Sequence, residues 1–208
     1  MITDDGSSLA PVLAKALSEQ GWSPVILRFS GISELVKKKR RPFAKEIPLI
    51  ELSSSAESEL ESSLKSLTEK RGNIGGFIHL HPASSTLAES RLEDGVNAFL
   101  KQAFLTAKNV CTFLNEAGKS DSSRSHFLAV TRLDGELGMG SGQFGAVGSG
   151  LSGLIKTAGI EWPNVFCRFV DLQPELTTDT GASCILQEPV SYTHLRAHET
   201  EADLVCRL

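Results

Sequence analysis

Strands alternating with helices predict an α/β fold with a doubly wound parallel sheet. Three observations carry this. Short apolar runs are bounded by Gly or Pro, as buried parallel strands are. Helix-period apolar faces lie between those runs. The chain has 208 residues, with no internal repeat and no Pro- or Ser-rich linker long enough to split it.

The elements follow in order. Met1-Ile2 reads as the end of a strand that begins upstream. Leu9, Val12, Leu13, Ala16 and Leu17 share a helix face, and Gly21 stops that helix. Residues 24–29 (Pro-Val-Ile-Leu-Arg-Phe) predict a short buried strand. Residues 37–41 (Lys-Lys-Lys-Arg-Arg) predict a solvated loop. Ile47-Pro48-Leu49-Ile50 predicts an edge strand, because Pro cannot donate to a ladder. Ala56, Leu60, Leu64 and Leu67 mark a second helix. Residues 75–82 predict a strand entered from glycine and ended by Pro82. A long helix runs through Leu92, Val96, Phe99, Ala103, Ala107, Val110 and Leu114. His126–Thr131 is the next strand, followed by a loop with Gly135, Gly138, Gly140 and Gly142. A helix through Val147, Leu151, Leu154, Ile155 and Ala158 precedes the strand Val165–Asp171. A short helix around residues 182–187 closes the fold.

Composition narrows the function. Hydrophobic residues make up 40% and charged residues 22%, which excludes wholesale disorder. A formal net charge of −4 argues against a nucleic-acid binder. No apolar run approaches the roughly 18 residues of a membrane span, and the first residues lack the pattern of a signal peptide. Cys111, Cys167, Cys184 and Cys206 are scattered, which predicts reduced thiols in a cytoplasmic setting. Cys167 reads as a buried apolar strand residue.

A dinucleotide fold needs a glycine-rich first turn, so that backbone N–H groups can approach the pyrophosphate. Here the turn is Thr3-Asp4-Asp5-Gly6-Ser7-Ser8-Leu9, with one glycine and two carboxylates. A carboxylate about 4 Å from a phosphate costs roughly 4 kcal/mol at an effective dielectric near 20. That is about a thousandfold in affinity. Asp4, Asp5 and Gly6 are therefore a degenerate cofactor turn, and Asp5 or Ser7 is expected to cap the helix.

The order of elements and the glycine-rich loop before a helix resemble the short-chain dehydrogenase/reductase superfamily. Residues 144–161 (Phe-Gly-Ala-Val-Gly-Ser-Gly-Leu-Ser-Gly-Leu-Ile-Lys-Thr-Ala-Gly-Ile-Glu) align with that family's active-site helix. The resemblance implies a Tyr-x-x-x-Lys pair there, with Tyr as general acid and Lys holding the ribose. This chain has Phe144 and Gly148 instead. The family's carbonyl-orienting Ser corresponds to Thr131, which keeps a hydroxyl. Phe has no proton to give and Gly no charge, so this acid–base chemistry is not expected here. The fold implied is a degenerate Rossmann-like sheet of short-chain dehydrogenase/reductase type.

A closer resemblance is to the structural half of ketoreductase domains in modular polyketide synthases and polyunsaturated fatty-acid synthases. It rests on residues 2–7, 76–82, 130–135, and 150–154 through Glu161-Trp162-Pro163 and the strand ending Asp171-Leu172. It covers nearly all of residues 1–188. The resemblance implies a scaffold without cofactor of its own, partnered by a catalytic half that uses NADPH on β-ketoacyl groups of an acyl carrier protein. A standalone reductase with an atypical active site is the alternative that Phe144 and Gly148 oppose. A regulatory binding domain is a third, opposed by the first strand's apparent upstream start.

Residues 189–208 resemble translated sequencing-adapter read-through and are expected to form no element of the fold. Tyr192, the chain's one tyrosine, falls there, as do His194, Arg196, His198 and Glu199. His194 and His198 at helical spacing imitate a metal pair, and Tyr192-x-x-x-Arg196 imitates the catalytic dyad. Both are discounted. His79 and His81 lie on one strand face but lack a third ligand at metal spacing, so no metal is expected. The glycines from 135 to 150 read as a degenerate catalytic loop and not a phosphate cradle.

Overall fold

The computed structural model describes residues 1–35, 40–53, 56–82, 92–119, 124–139, 147–191 and 205–207. Seven strands form one sheet: β1 (Ile2–Thr3), β2 (Ile26–Arg28), β3 (Leu49–Glu51), β4 (Gly76–Leu80), β5 (Ser125–Thr131), β6 (Val165–Asp171) and β7 (Val205–Arg207). Their order is β3-β2-β1-β4-β5-β6-β7, and every pair is parallel. The first six strands give the Rossmann order 3-2-1-4-5-6, whose direction of growth reverses between β1 and β4. β3 is the edge that its proline predicted.

The helices are α1 (Leu9–Glu19), α2 (Ser30–Leu35), α3 (Glu57–Arg71), α4 (Leu92–Ala117), α5 (Val147–Glu161) and α6 (Thr178–Ser191). Strand alternation splits the apolar residues between two cores. On one face Leu27, Phe77, Phe127 and Phe169 meet Leu60 and Leu64 of α3, Leu114 of α4 and Ile155 of α5. Phe127 stacks between Phe77 and Trp162, at centroid distances of 5.1 and 5.5 Å. On the other face Ile2, Ile26, Ile78, Leu128 and Val170 meet Leu9 and Leu13 of α1 and Ile185 of α6. Cys167 is buried in the first core, as its strand position predicted.

Three differences from the sequence reading stand out. α2 is an added helix of six residues, too short for a periodic signal. α6 is longer than predicted and runs through Pro189 to Ser191, across the expected boundary at residue 188. The closing residues also form an element: β7 pairs with β6 in the register Phe169 to Val205 and Asp171 to Arg207. Val205 and Cys206 carry the β propensity that a two-sided parallel strand uses. Tyr192, His194, Arg196, His198 and Glu199 lie outside the described residues. Among the described residues, no helix is long and apolar enough to cross a membrane.

Candidate functional site

In an open parallel sheet, ligands bind beyond the carboxyl ends of the strands where the order reverses. Here that crevice lies between β1 and β4. Thr3 closes its floor: its hydroxyl oxygen accepts the Leu80 N–H at 2.8 Å and lies 3.3 Å from His79 Nδ1.

The turn after β1 is where a pyrophosphate would meet the N-terminus of α1. Gly6 makes the turn with φ of +78°. Its N–H donates to Asp4 Oδ1 at 3.0 Å. The Ser7 N–H donates to Asp5 Oδ1 at 3.2 Å, and the Leu9 N–H donates to the Ser7 hydroxyl at 3.0 Å. The N-cap of α1 is Ser8, which makes no side-chain cap bond, so the cap expected of Asp5 or Ser7 is replaced by local turn bonds in which Asp5 holds Ser7 and Ser7 accepts the Leu9 N–H. Burial pushes the Asp5 carboxyl above its usual range, against the lowering pull of its hydrogen bonds to Ser7.

Asp4 is fully buried and carries the geometry of the turn. Arg28 Nε donates to its Oδ2 at 2.7 Å, and Arg40 Nη1 sits 2.9 Å from both oxygens. Arg28 also pairs with Glu51 on β3. Both guanidinium groups lie over the Phe43 ring, at 5.7 and 5.1 Å from its centre. Arg41 fastens the same segment, its N–H donating to Ser8 Oγ and its guanidinium forking onto Asp179 of α6. The expectation of a solvated loop therefore fails at Arg40 and holds at Arg41, which stays exposed while it pairs with Asp179. Arg40 is only 13% exposed, because buried Asp4 needs a counter-charge. Lys37, Lys38 and Lys39 lie outside the described residues.

A dinucleotide needs the N–H groups that Asp4, Asp5 and Ser7 already hold, and the approach that residues 40–43 already cover. The residues present do not fit a pyrophosphate.

The second centre lies at the ends of β5 and β6. Thr131 donates its hydroxyl proton to Asp171 Oδ1 at 2.7 Å, and both residues are buried. Asp171 also accepts N–H bonds from Leu133 (2.8 Å), Asp134 (3.3 Å), Gly135 (2.9 Å) and Leu137 (3.1 Å). The loop wraps the carboxylate with successive N–H groups, as a backbone nest wraps an anion. Positive φ at Gly135 (74°), Leu137 (65°) and Gly138 (76°) bends it inward. Thr131 keeps its hydroxyl, but that hydroxyl is committed to Asp171. Phe144 lies outside the described residues, and Gly148 falls in the first turn of α5. Asp171 was legible in the sequence only as the end of a strand.

His79 and His81 share the β4 face, with ring centroids 6.0 Å apart. Burial pushes His79 down to about 3, with the neighbouring His81 as a second cause, and His81 down to about 4. No group of three or more His, Cys, Asp or Glu that could hold a metal occurs among the described residues.

No family profile matches the chain, and no curated protein matches it. Solved structures do match. A 3-ketoacyl-(acyl-carrier-protein) reductase from Brucella melitensis, complexed with NADH, is 16% identical with a TM-score of 0.66, over 90% of this chain and 88% of that one. The apo form of LigO from Sphingobium sp. strain SYK-6 is 13% identical with a TM-score of 0.65, over 97% and 83%. An alcohol dehydrogenase from the archaeon Thermococcus sibiricus, complexed with 5-hydroxy-NADP, is 15% identical with a TM-score of 0.60, over 99% and 94%. What this chain shares with them is the fold, a doubly wound parallel sheet in the Rossmann order.

Proposed function

We propose that this chain is the non-catalytic scaffold half of a ketoreductase domain in a synthase that builds acyl chains on a carrier protein. Its partner is a separate catalytic half that binds NADPH and reduces the β-ketoacyl thioester. The observation that carries this reading is Asp4, held by Arg28 and Arg40 inside the turn a cofactor would need. The committed Thr131 hydroxyl supports it. So do Phe104 and Ile160, which stand 54% and 82% exposed on the contacting helices α4 and α5. Large apolar side chains in the open suit a docking face. On this reading residues 1–188 carry the scaffold.

The test is a titration of the purified chain with NADPH, followed by melting with and without the catalytic half. No cofactor fluorescence change, and a melting temperature raised by the partner half, are expected. Cofactor binding at micromolar concentration would instead favour a standalone reductase. A melting temperature that the partner leaves unchanged would favour a free-standing binding domain.

A further inference from the structure

Three buried polar atoms near the carboxyl end of β4 lack a hydrogen-bond partner: His79 Nε2, His81 Nδ1 and Gln102 Oε1. All three residues are more than nine-tenths buried. His79 and His81 share one face of β4, with ring centroids 6.0 Å apart. Gln102 comes from α4, which packs over β4. Phe99 of α4 meets the His81 ring edge-on at 6.4 Å. Gln102 lies about one turn, roughly 4.5 Å, further along that helix. The helix runs back against the strand, as in any βαβ unit, so that turn brings Gln102 toward the level of His79.

Thr3 sets the tautomer of His79. Its hydroxyl accepts the Leu80 N–H at 2.8 Å and donates its own proton to the Leu80 carbonyl at 3.3 Å. The 3.3 Å contact between Thr3 Oγ1 and His79 Nδ1 therefore takes its proton from the imidazole. Nε2 is left with a bare lone pair, and the ring is held at its other nitrogen as a metal-binding imidazole is. Gln102 Oε1 is an acceptor too. Buried acceptors without a donor suit a cation. Two metal–nitrogen bonds of about 2.0 Å, with half a ring added at each end, span roughly 6 Å between ring centres. No third His, Cys, Asp or Glu joins the pair among the described residues, so the four ligands of zinc are not provided. Copper(I) takes imidazole and is content with two ligands. Its single charge costs about a quarter as much to bury as a double one, since Born energies scale with the square of the charge.

We propose that His79 Nε2 and His81 Nδ1 bind a copper(I) ion, with Gln102 Oε1 as a weak third contact. The sequence showed the pair but neither Thr3 behind it nor Gln102 beside it, and so pointed away from a metal. The site needs neither cofactor nor partner half, so it stands or falls independently of the scaffold reading.

The probe is copper(I) itself, titrated without oxygen against a chromophoric copper(I) chelator. The full chain carries Cys111→Ser, Cys184→Ser and Cys206→Ser, so that those thiols do not compete; Cys167 is buried in the core. Binding of one equivalent is expected, with an X-ray absorption spectrum that shows nitrogen and no sulfur around copper. The imidazole NMR signals of His79 and His81 should shift while those of His126, His194 and His198 stay, a readout that needs no histidine variant. His79→Gln and His81→Gln should each weaken copper by more than about a hundredfold, and Thr3→Val by about tenfold, as the loss of a supporting hydrogen bond does. Gln102→Leu should weaken it least. Absence of binding would overturn the proposal. So would sulfur around the copper, shifts confined to His194 and His198, or zinc(II) held more tightly than copper(I).

Discussion

Asp171 accepts four backbone N–H groups and the Thr131 hydroxyl, and it is fully buried. Its charge is what makes these five bonds compatible, since a carboxylate accepts at every lone pair and donates nothing. Asp171→Asn turns one oxygen into a donor facing other donors. A loss of about 3–5 kcal/mol is expected, the usual cost of removing one side of a buried charged network. Thr131→Val removes only one of the five bonds and should cost about 1–2 kcal/mol. Urea unfolding of the two variants measures both. Equal losses would mean that the loop is held by something other than the carboxylate. Asp4 is the counterpart at the other centre. Asp4→Ala removes the carboxylate that Arg28 and Arg40 share, leaves Arg28 with Glu51 alone, and should also cost about 3–5 kcal/mol. Hydrogen exchange at residues 40–43 should rise in that variant. Exchange that stays at the parent rate would show that Arg41 and Asp179 hold the strap alone.

Between elements, close packing sets opposite signs for similar substitutions. Gly118 ends α4 against the segment leading into β6. A Cβ there would come within 2.0 Å of the Asn164 carbonyl oxygen and 2.8 Å of Ser125 Oγ. Backbone cannot yield as a side-chain tip can, so Gly118→Ala should cost about 3 kcal/mol or more. Gly153 sits inside α5 with open space around an added Cβ. Gly153→Ala should stabilise by about 0.5–1 kcal/mol through helix propensity. Melting temperatures of the two variants check the signs, and a stabilising Gly118→Ala would show that α4 docks differently. At this scale the sequence was readable. Apolar runs marked β2 to β6 and the period-3.6 pattern marked five of the six helices among the described residues, because burial leaves strands apolar on both faces and helices apolar on one. The candidate site was only half readable. The two carboxylates and single glycine of residues 3–9 announced a closed turn. What closes it did not show, because Arg28 and Arg40 reach Asp4 across 24 and 36 residues of chain. Ion pairs at such separations leave no periodic trace, whereas burial does. For the same reason the loop around Asp171 read as glycine-rich and nothing more.

Across the whole molecule in its metal-free form, the buried His79 and His81 and the half-buried His126 couple folding to pH. Burial lowers His79 to about 3 and His81 to about 4, and burial with the Arg124 charge lowers His126 to about 4. An unfolded histidine takes its proton near pH 6.5. Between about pH 6.5 and 4 the unfolded chain therefore binds more protons than the folded one, so stability falls as pH falls. Above that window all three are neutral in both states, and their effect vanishes. Each costs about 1.4 kcal/mol per pH unit within it, and the three together cost about 4. Asp5 acts in the opposite sense, since its raised carboxyl favours the fold on acidification, but it is one group against three. A domain stable by roughly 5–15 kcal/mol would exhaust that margin within about one to four pH units at this slope. Stability should therefore fall steeply on acidification through the window from about pH 6.5 to 4. Urea melts at pH 7, 6 and 5.5 measure the slope. His79→Gln removes one titrating group and should lower that slope by about a third, even where it lowers stability at pH 7. A stability that stays flat down to pH 4.5 would mean that the histidines are solvated, and that the β4 face is open where the structure closes it.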